Sequence, residues 1–327
     1  MFFSKACLCV MLLYTFFIIS KSTNEVICIT YEPRVDDRHP PDGLPRWNGR
    51  VFWEKFPCKP ICTRHILINS RDDDAEKNIN IFKSKMTSMN QEKNEMGLFI
   101  SDYKQADSHW EYNSHWVKSH FNGIHIAWLS YSSYNLTKRL EFTKGITREM
   151  RSLNKTVSQS LLCVPPELIK VGQLSKDVDM TIVQIWGDPS KFNLRDVFTW
   201  CVLPLVNYGI PKNKIAVGKS VGRRFIDYCE RNREMPSILT NFALRMTHFV
   251  KVQWGLAGVM VFGLESDDYT GQVCGMGKYP FLRAHVGDLL DSCENVNTFA
   301  AVSGAVVVNQ TILMSLVYLI VLFEGFN

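Results

Sequence analysis

The sequence predicts a closed (β/α)8 barrel, and three observations carry that reading. Short β-type runs recur eight times along the chain. Helical stretches fall between most of them, which argues for βα units on a parallel sheet. About 270 residues lie between two apolar ends, a length that suits eight such units.

The β-type runs are Val26–Tyr31, Arg64–Asn69, Gly97–Ser101, Gly123–Trp128, Gln159–Val164, Asp179–Trp186, Lys214–Gly218 and Ala257–Leu264. Each is a short apolar block such as Ile66-Leu67-Ile68 or Val259-Met260-Val261-Phe262, the form of a strand buried on both faces. The helical stretches are Asp74–Gln91, His109–His120, Leu136–Leu153, Leu194–Tyr208, Ser237–Trp254 and Pro280–Leu290. Periodicity alone leaves an open doubly wound sheet as the alternative. Arg71–Lys77 and Lys85–Asn94 read as solvated faces and loops, and no internal repeat stands out.

The ends have their own signals. Leu8–Ile19 is an apolar run preceded by Lys5 and followed by Ser20 and Ser22, the pattern of a secretory signal peptide over residues 1–22. The alternative is an uncleaved anchor, for which the run is short. Residues 293–327 form an apolar tail with no Lys or Arg after it. That fits a glycolipid-anchor signal, with a transmembrane tail or a buried helix as the other readings. The barrel is then expected over residues 23–292, in an extracellular protein tethered to the membrane by its tail.

Net charge is +5, without a long basic run, which argues against a nucleic-acid partner. Ten cysteines are present; Cys7 and Cys9 fall in the signal segment. The other eight would enter an oxidising compartment, where disulfides are expected. Asn135 and Asn154 head glycosylation sequons.

The run after Phe121 bears most on function. On a strand, His125, Ala127 and Leu129 share one face, and Ile124, Ile126 and Trp128 the other. The second set suits packing under helices. The first set ends in two side chains that cannot move a proton.

Near the C-terminal end, Trp254 to Leu282 includes Gly-Val-Met-Val-Phe, Asp-Asp-Tyr-Thr-Gly, Cys274 and Gly-Lys-Tyr-Pro-Phe. This resembles the eighth strand and following loop of family 18 glycoside hydrolases, the chitinases and chitinase-like lectins. Their pattern is Gly-Gly-Val-Met-Val-Trp, Asp-Asp-Phe-x-Gly, a Cys, then Gly-x-Tyr-Pro-Leu. Ile61-Cys62-Thr63-Arg64-His65-Ile66-Leu67 resembles the family's second strand, and Cys28 stands at its first-strand Cys. Lys214 to Phe225 resembles the seventh strand. Val178 to Trp186 resembles the sixth, Val-Asp-Phe-x-Asn-x-Met-x-Tyr-Asp. The resemblance spans roughly Val26 to Leu290. It implies a family-18 barrel, here without the family's small α+β insertion between strands seven and eight. It also implies the pairs Cys28–Cys62 and Cys229–Cys274, and leaves Cys58, Cys163, Cys201 and Cys293 unassigned.

Where the family has Phe-Asp-Gly-x-Asp-x-Asp-Trp-Glu, this chain has Asn122, His125, Ala127 and Leu129 in place of the four acids. The resemblance therefore implies a barrel without its proton donor, since hydrolysing members protonate the glycosidic oxygen with that Glu. Ligand-binding candidates by the same match are Trp186, Asp188, Arg223, Phe262 and Tyr103. They could stack on an N-acetylglucosamine-type glycan or simply fill the mouth. A cell-surface protein partner is the other expectation; neither a cofactor nor a metal is implied. Two further chemistries stay open. Glu32, Asp102, Asp188, Asp267 and Asp268 could form a relocated carboxylate pair. His109, His115, His120 and His125 fall close in sequence, though not at helical i, i+4 spacing.

Overall fold

The computed structural model describes residues 25–31, 62–68, 75–89, 93–100, 106–128, 136–164, 172–185, 193–220, 229, 234–268, 271 and 273–286. Eight parallel strands close into one barrel in sequence order. They are β1 (Glu25–Tyr31), β2 (Arg64–Ile68), β3 (Asn94–Ile100), β4 (Gly123–Trp128), β5 (Thr156–Leu162), β6 (Met180–Ile185), β7 (Ile215–Ser220) and β8 (Gly258–Phe262). The ring shuts where Glu25 pairs with Gly258 and Ile29 with Phe262. The closed barrel replaces the open-sheet alternative.

Among the described residues the α-helices with defined bounds are α1 (Ala75–Ser88), α2 (Ala106–His120), α3 (Leu136–Ser152), α4 (Leu194–Val197), α5 (Leu203–Asn207), α6 (Glu234–His248) and α7 (Pro280–Val286). Two expected continuous helices are interrupted. Between α4 and α5 lies a π-helical turn, Phe198–Val202, in which Leu203 N–H donates to Phe198 C=O. Pro204 explains it: a proline ring crowds the carbonyl four residues back and lacks an N–H. After α6 a second π turn, Phe249–Gln253, is closed by Gly255 at φ 62°. Leu256 N–H reaches back to Val250 C=O at 3.0 Å, a seven-to-one closure, one residue wider than the usual six-to-one bond that follows a left-handed residue. Residues 221–257 separate β7 from β8, and their described part is Cys229, α6 and this π turn. No insertion domain interrupts the described residues there.

Two apolar layers follow from strand alternation. Val26, Cys28, Ile124, Ile126, Trp128, Val259 and Val261 face outward under the helices. Trp128 meets Phe142 of α3 edge-on at 6.0 Å, and the Arg139 guanidinium lies 5.0 Å from its ring centre. Ile27, Ile29, Ile66, Ile68, Met180, Ile182, Met260 and Phe262 fill the inside. The face assignment made from sequence for β4 holds.

Among the described residues three disulfides tie the barrel. Cys28–Cys62 and Cys229–Cys274 are the pairs the resemblance implied. Cys163–Cys201, which the sequence left unassigned, joins the chain after β5 to the first π turn across 38 residues. A closed loop of that size is worth about 4 kcal/mol in the chain-entropy account. Cys58, Cys293, Asn135, the leader and the tail lie outside the described residues. Asn154 is exposed at φ 56° in the turn between α3 and β5. No described helix is long and apolar enough to cross a membrane.

Candidate binding site at the barrel mouth

The inside of the barrel is divided. The wall from β8 through β1 to β2 is apolar, built from Met260, Phe262, Ile27, Ile29, Ile66 and Ile68. A column of polar groups starts beneath these apolar side chains, at the N-terminal ends of β1, β2 and β3, and rises along β4 and β5. Arg64, first in β2, donates from Nε to Glu25 at 3.1 Å and from a terminal nitrogen to Glu95 of β3. Lys93 caps Glu25 from outside at 2.6 Å. Arg64 and Lys93 together hold the Glu25 carboxyl below its usual range despite its burial. Thr156 donates to one Glu95 oxygen at 2.8 Å, and Ser158 to the other.

His125 sits above them, fully buried, with Nδ1 2.8 Å from Ser158 Oγ and Nε2 2.7 Å from Ser160 Oγ. Ser158 spends its own proton on Glu95, so its oxygen accepts from His125 Nδ1–H. Nε2 is then the acceptor for the Ser160 hydroxyl. Burial, helped by the charge of Arg64, pushes the imidazole down to about 3. At neutral pH His125 is therefore uncharged and has no second proton to give. Its neighbour on the inner face, Ala127, is buried and has none either. Asn122 is exposed at the N-terminal opening of β4, its N–H donating to Asn94 C=O at 2.9 Å.

Of the other predicted site residues, Phe262 ends β8 on the inner face, paired in register with Ile29 and Ser220 and 5% exposed. Leu129, Trp186, Asp188, Arg223 and Tyr103 lie outside the described residues.

The relocated-carboxylate alternative meets a correction at two of its five acids. Asp267 is fully buried and accepts from the N–H groups of Phe281 at 3.2 Å, Leu282 at 2.9 Å and Asp268 at 3.0 Å. Asp268 accepts from Gly271, Val273 and Cys274 at 2.8–3.0 Å. Asp267 fastens the chain after β8 to α7, and Asp268 organises the loop between them. Burial raises Asp267 to about 7, although three N–H donors pull the other way. Asp267→Asn should cost about 1–3 kcal/mol, because its amide must set an N–H against a backbone N–H. A thermal melt within experimental error of wild type would refute that. Glu32 and Asp102 lie outside the described residues.

The four histidines do not converge. His120 Nδ1 is 2.9 Å from Lys83 Nζ on the outer helices, while both nitrogens of His125 are taken by serines inside the barrel. Among the described residues no group of three or more His, Cys, Asp or Glu could hold a metal.

Sequence reasoning missed Glu25, Arg64, Glu95, Ser158, Ser160 and Gln184 as inward-facing polar groups. Starting β3 and β5 three residues earlier would have brought in Glu95 and Ser158, and starting β1 one earlier Glu25; Arg64, Ser160 and Gln184 already lay inside the predicted runs at alternate positions.

No protein-family model matches the sequence, and no curated protein matches it. Solved structures do match. A group IV chitinase of Ostrinia furnacalis shares 14% identity over 82% of this chain and all of its own, with a TM-score of 0.60. Human YKL-39, described as a pseudo-chitinase with retained chitooligosaccharide binding, shares 13% over 80% of this chain and 98% of its own, at 0.58. The second catalytic domain of an Ostrinia furnacalis group II chitinase shares 16% over 80% and 96%, at 0.57. The fold is the chitinase-like (β/α)8 barrel.

Proposed function

We propose that this barrel binds N-acetylglucosamine-type glycans at its C-terminal mouth and does not cleave them. The observation that carries the reading is the inner face of β4, where His125 is a neutral imidazole locked between two serines and Ala127 is a methyl group. General acid catalysis contributes about 10²–10⁴-fold to such reactions, and neither side chain can supply it. Leu129 stands by sequence where the family's proton donor stands. Two solved neighbours lend support. YKL-39 is a pseudo-chitinase that retains oligosaccharide binding, and a glutamate-to-leucine mutant of the group II domain was crystallised with (NAG)5. The candidate sugar contacts are Trp186, Asp188, Arg223, Phe262 and Tyr103. We further place the protein in the secretory pathway, held at the cell surface by its C-terminal tail. Its release by a phosphatidylinositol-cleaving lipase would mark a glycolipid anchor.

The test is calorimetry with N-acetylchitotetraose beside a hydrolysis assay on the same protein. Micromolar binding that weakens in Trp186→Ala or Arg223→Ala, with no product, is expected. Turnover abolished by changing one mouth residue would restore an active glycosidase. Neither binding nor protection against heat would leave a protein-interaction scaffold instead.

A further inference from the structure

The polar column inside the barrel is hydrogen-bonded at every described step but one. Glu25, Arg64, Glu95, Ser158, His125 and Ser160 all have partners. The exception is Gln184 of β6, 1% exposed, whose amide nitrogen has no hydrogen-bond partner among the described residues. Ile182, two residues before it, belongs to the inner apolar set, so Gln184 faces inward too.

Its height is set by the register. Gln184 pairs with Leu162 of β5 and Gly218 of β7, and Gly218 with Met260 of β8. A barrel with shear of about eight drops one residue per strand along such a row. Gln184 therefore stands level with Phe262, Ile68 and Ala127 of the alternate strands, one layer short of the strand ends. It is the uppermost inward-facing polar group of β6 within the described residues. Gly218, its register partner on β7, admits no side chain, since a Cβ there would meet Met260 at 2.4 Å, so that position offers the amide nothing. The sixth-strand resemblance puts Met at this position; an apolar side chain would fill it without an orphaned N–H.

We propose that Gln184 is a ligand-recognition residue, whose amide N–H meets an oxygen acceptor of a sugar entering the mouth between Phe262 and Ala127. This rests on the glycan-binding reading above and names the group that would reward an oxygen-bearing ring over an apolar one. An unpaired buried amide weakens the folded state, so the residue trades stability for recognition.

The experiment compares wild type with Gln184→Met, a substitution of similar volume. N-acetylchitotetraose and cellotetraose serve as probes, and thermal midpoints are read without sugar. Expected for Gln184→Met are a midpoint raised by about 3 °C and binding weakened about tenfold. Loss with the acetylated probe alone assigns the acceptor to the acetamido carbonyl; equal loss with both assigns it to a hydroxyl. Unchanged binding, or a lowered midpoint, overturns the role of Gln184 while leaving glycan binding intact. A wild type that binds neither probe defeats the functional reading itself, and this inference with it.

Discussion

Below about pH 6 the barrel should lose stability steeply, at roughly 2.7 kcal/mol per pH unit near pH 5. His65 on β2, His125 on β4 and His285 on α7 are all fully buried, and burial pushes each from 6.5 down to about 3. A depressed histidine stays neutral in the folded chain while the unfolded chain binds its proton. Its contribution is complete above 6.5 and is lost as pH falls towards 3. Asp267 works in the opposite sense. Its folded value of about 7 against 3.8 means that the folded chain keeps a proton the unfolded one releases. At pH 5 the unfolded chain thus takes up three protons at the histidines and gives back one at Asp267. The net uptake is two, each worth about 1.36 kcal/mol per unit. Below pH 4.5 Glu25 adds to the loss, since its carboxyl is held below the usual range by Arg64 and Lys93. Urea midpoints at pH 7, 6 and 5 measure the slope. His285→Gln should reduce it by one proton, and equal midpoints at pH 7 and 5 would remove the basis of the claim.

The architecture was legible because it rests on short apolar blocks whose spacing survives any error in their ends. The β4 faces were legible for the same reason: Ile124, Ile126 and Trp128 alternate with His125 and Ala127, and the barrel obeys that period. The polar column was not. Glu95 and Ser158 look like flanking loop residues because the apolar runs begin at Met96 and Leu161, with Val157 standing alone before the second, whereas the ladder begins earlier through pairs such as Glu95 with Gly123 and Ser158 with Met180. A strand that buries charge at its start carries no apolar signal there. Only its partner strands reveal it, and Arg64 lies 31 residues from Glu95. The helix interruptions failed differently. Pro204 does flag the first, but nothing local marks the second, which is closed by Gly255. Asp267 and Asp268 drew notice as acids near the mouth. Their partners are backbone N–H groups up to 15 residues away, which composition cannot show.

Arg64→Met should be the most damaging single change in the described barrel, costing about 3–5 kcal/mol. The arginine bridges two carboxylates that are almost wholly inside, with Glu25 and Glu95 side chains 8% and 1% exposed. Removing it leaves Glu95 with two hydroxyl donors and no counter-charge among the described residues, and Glu25 with Lys93 alone. Lys93 is half exposed, so its pairing is screened and worth no more than about 1 kcal/mol. Lys93→Met is therefore expected to be mild, although it touches the same carboxylate. The distinction between lost charge and lost packing comes from adding Glu95→Gln. If unpaired charge carries the cost, the double variant recovers part of what Arg64→Met lost, because the introduced amide keeps an acceptor without the buried negative charge. Arg64 also helps depress His125, so the single variant should shift the acid transition of that imidazole upward, a change that packing loss alone would not produce. Denaturant unfolding of wild type, both single variants and the double variant, with His125 followed by NMR titration, checks both parts. An Arg64→Met chain as stable as Lys93→Met would mean that the buried column does not hold the N-terminal end of the barrel together.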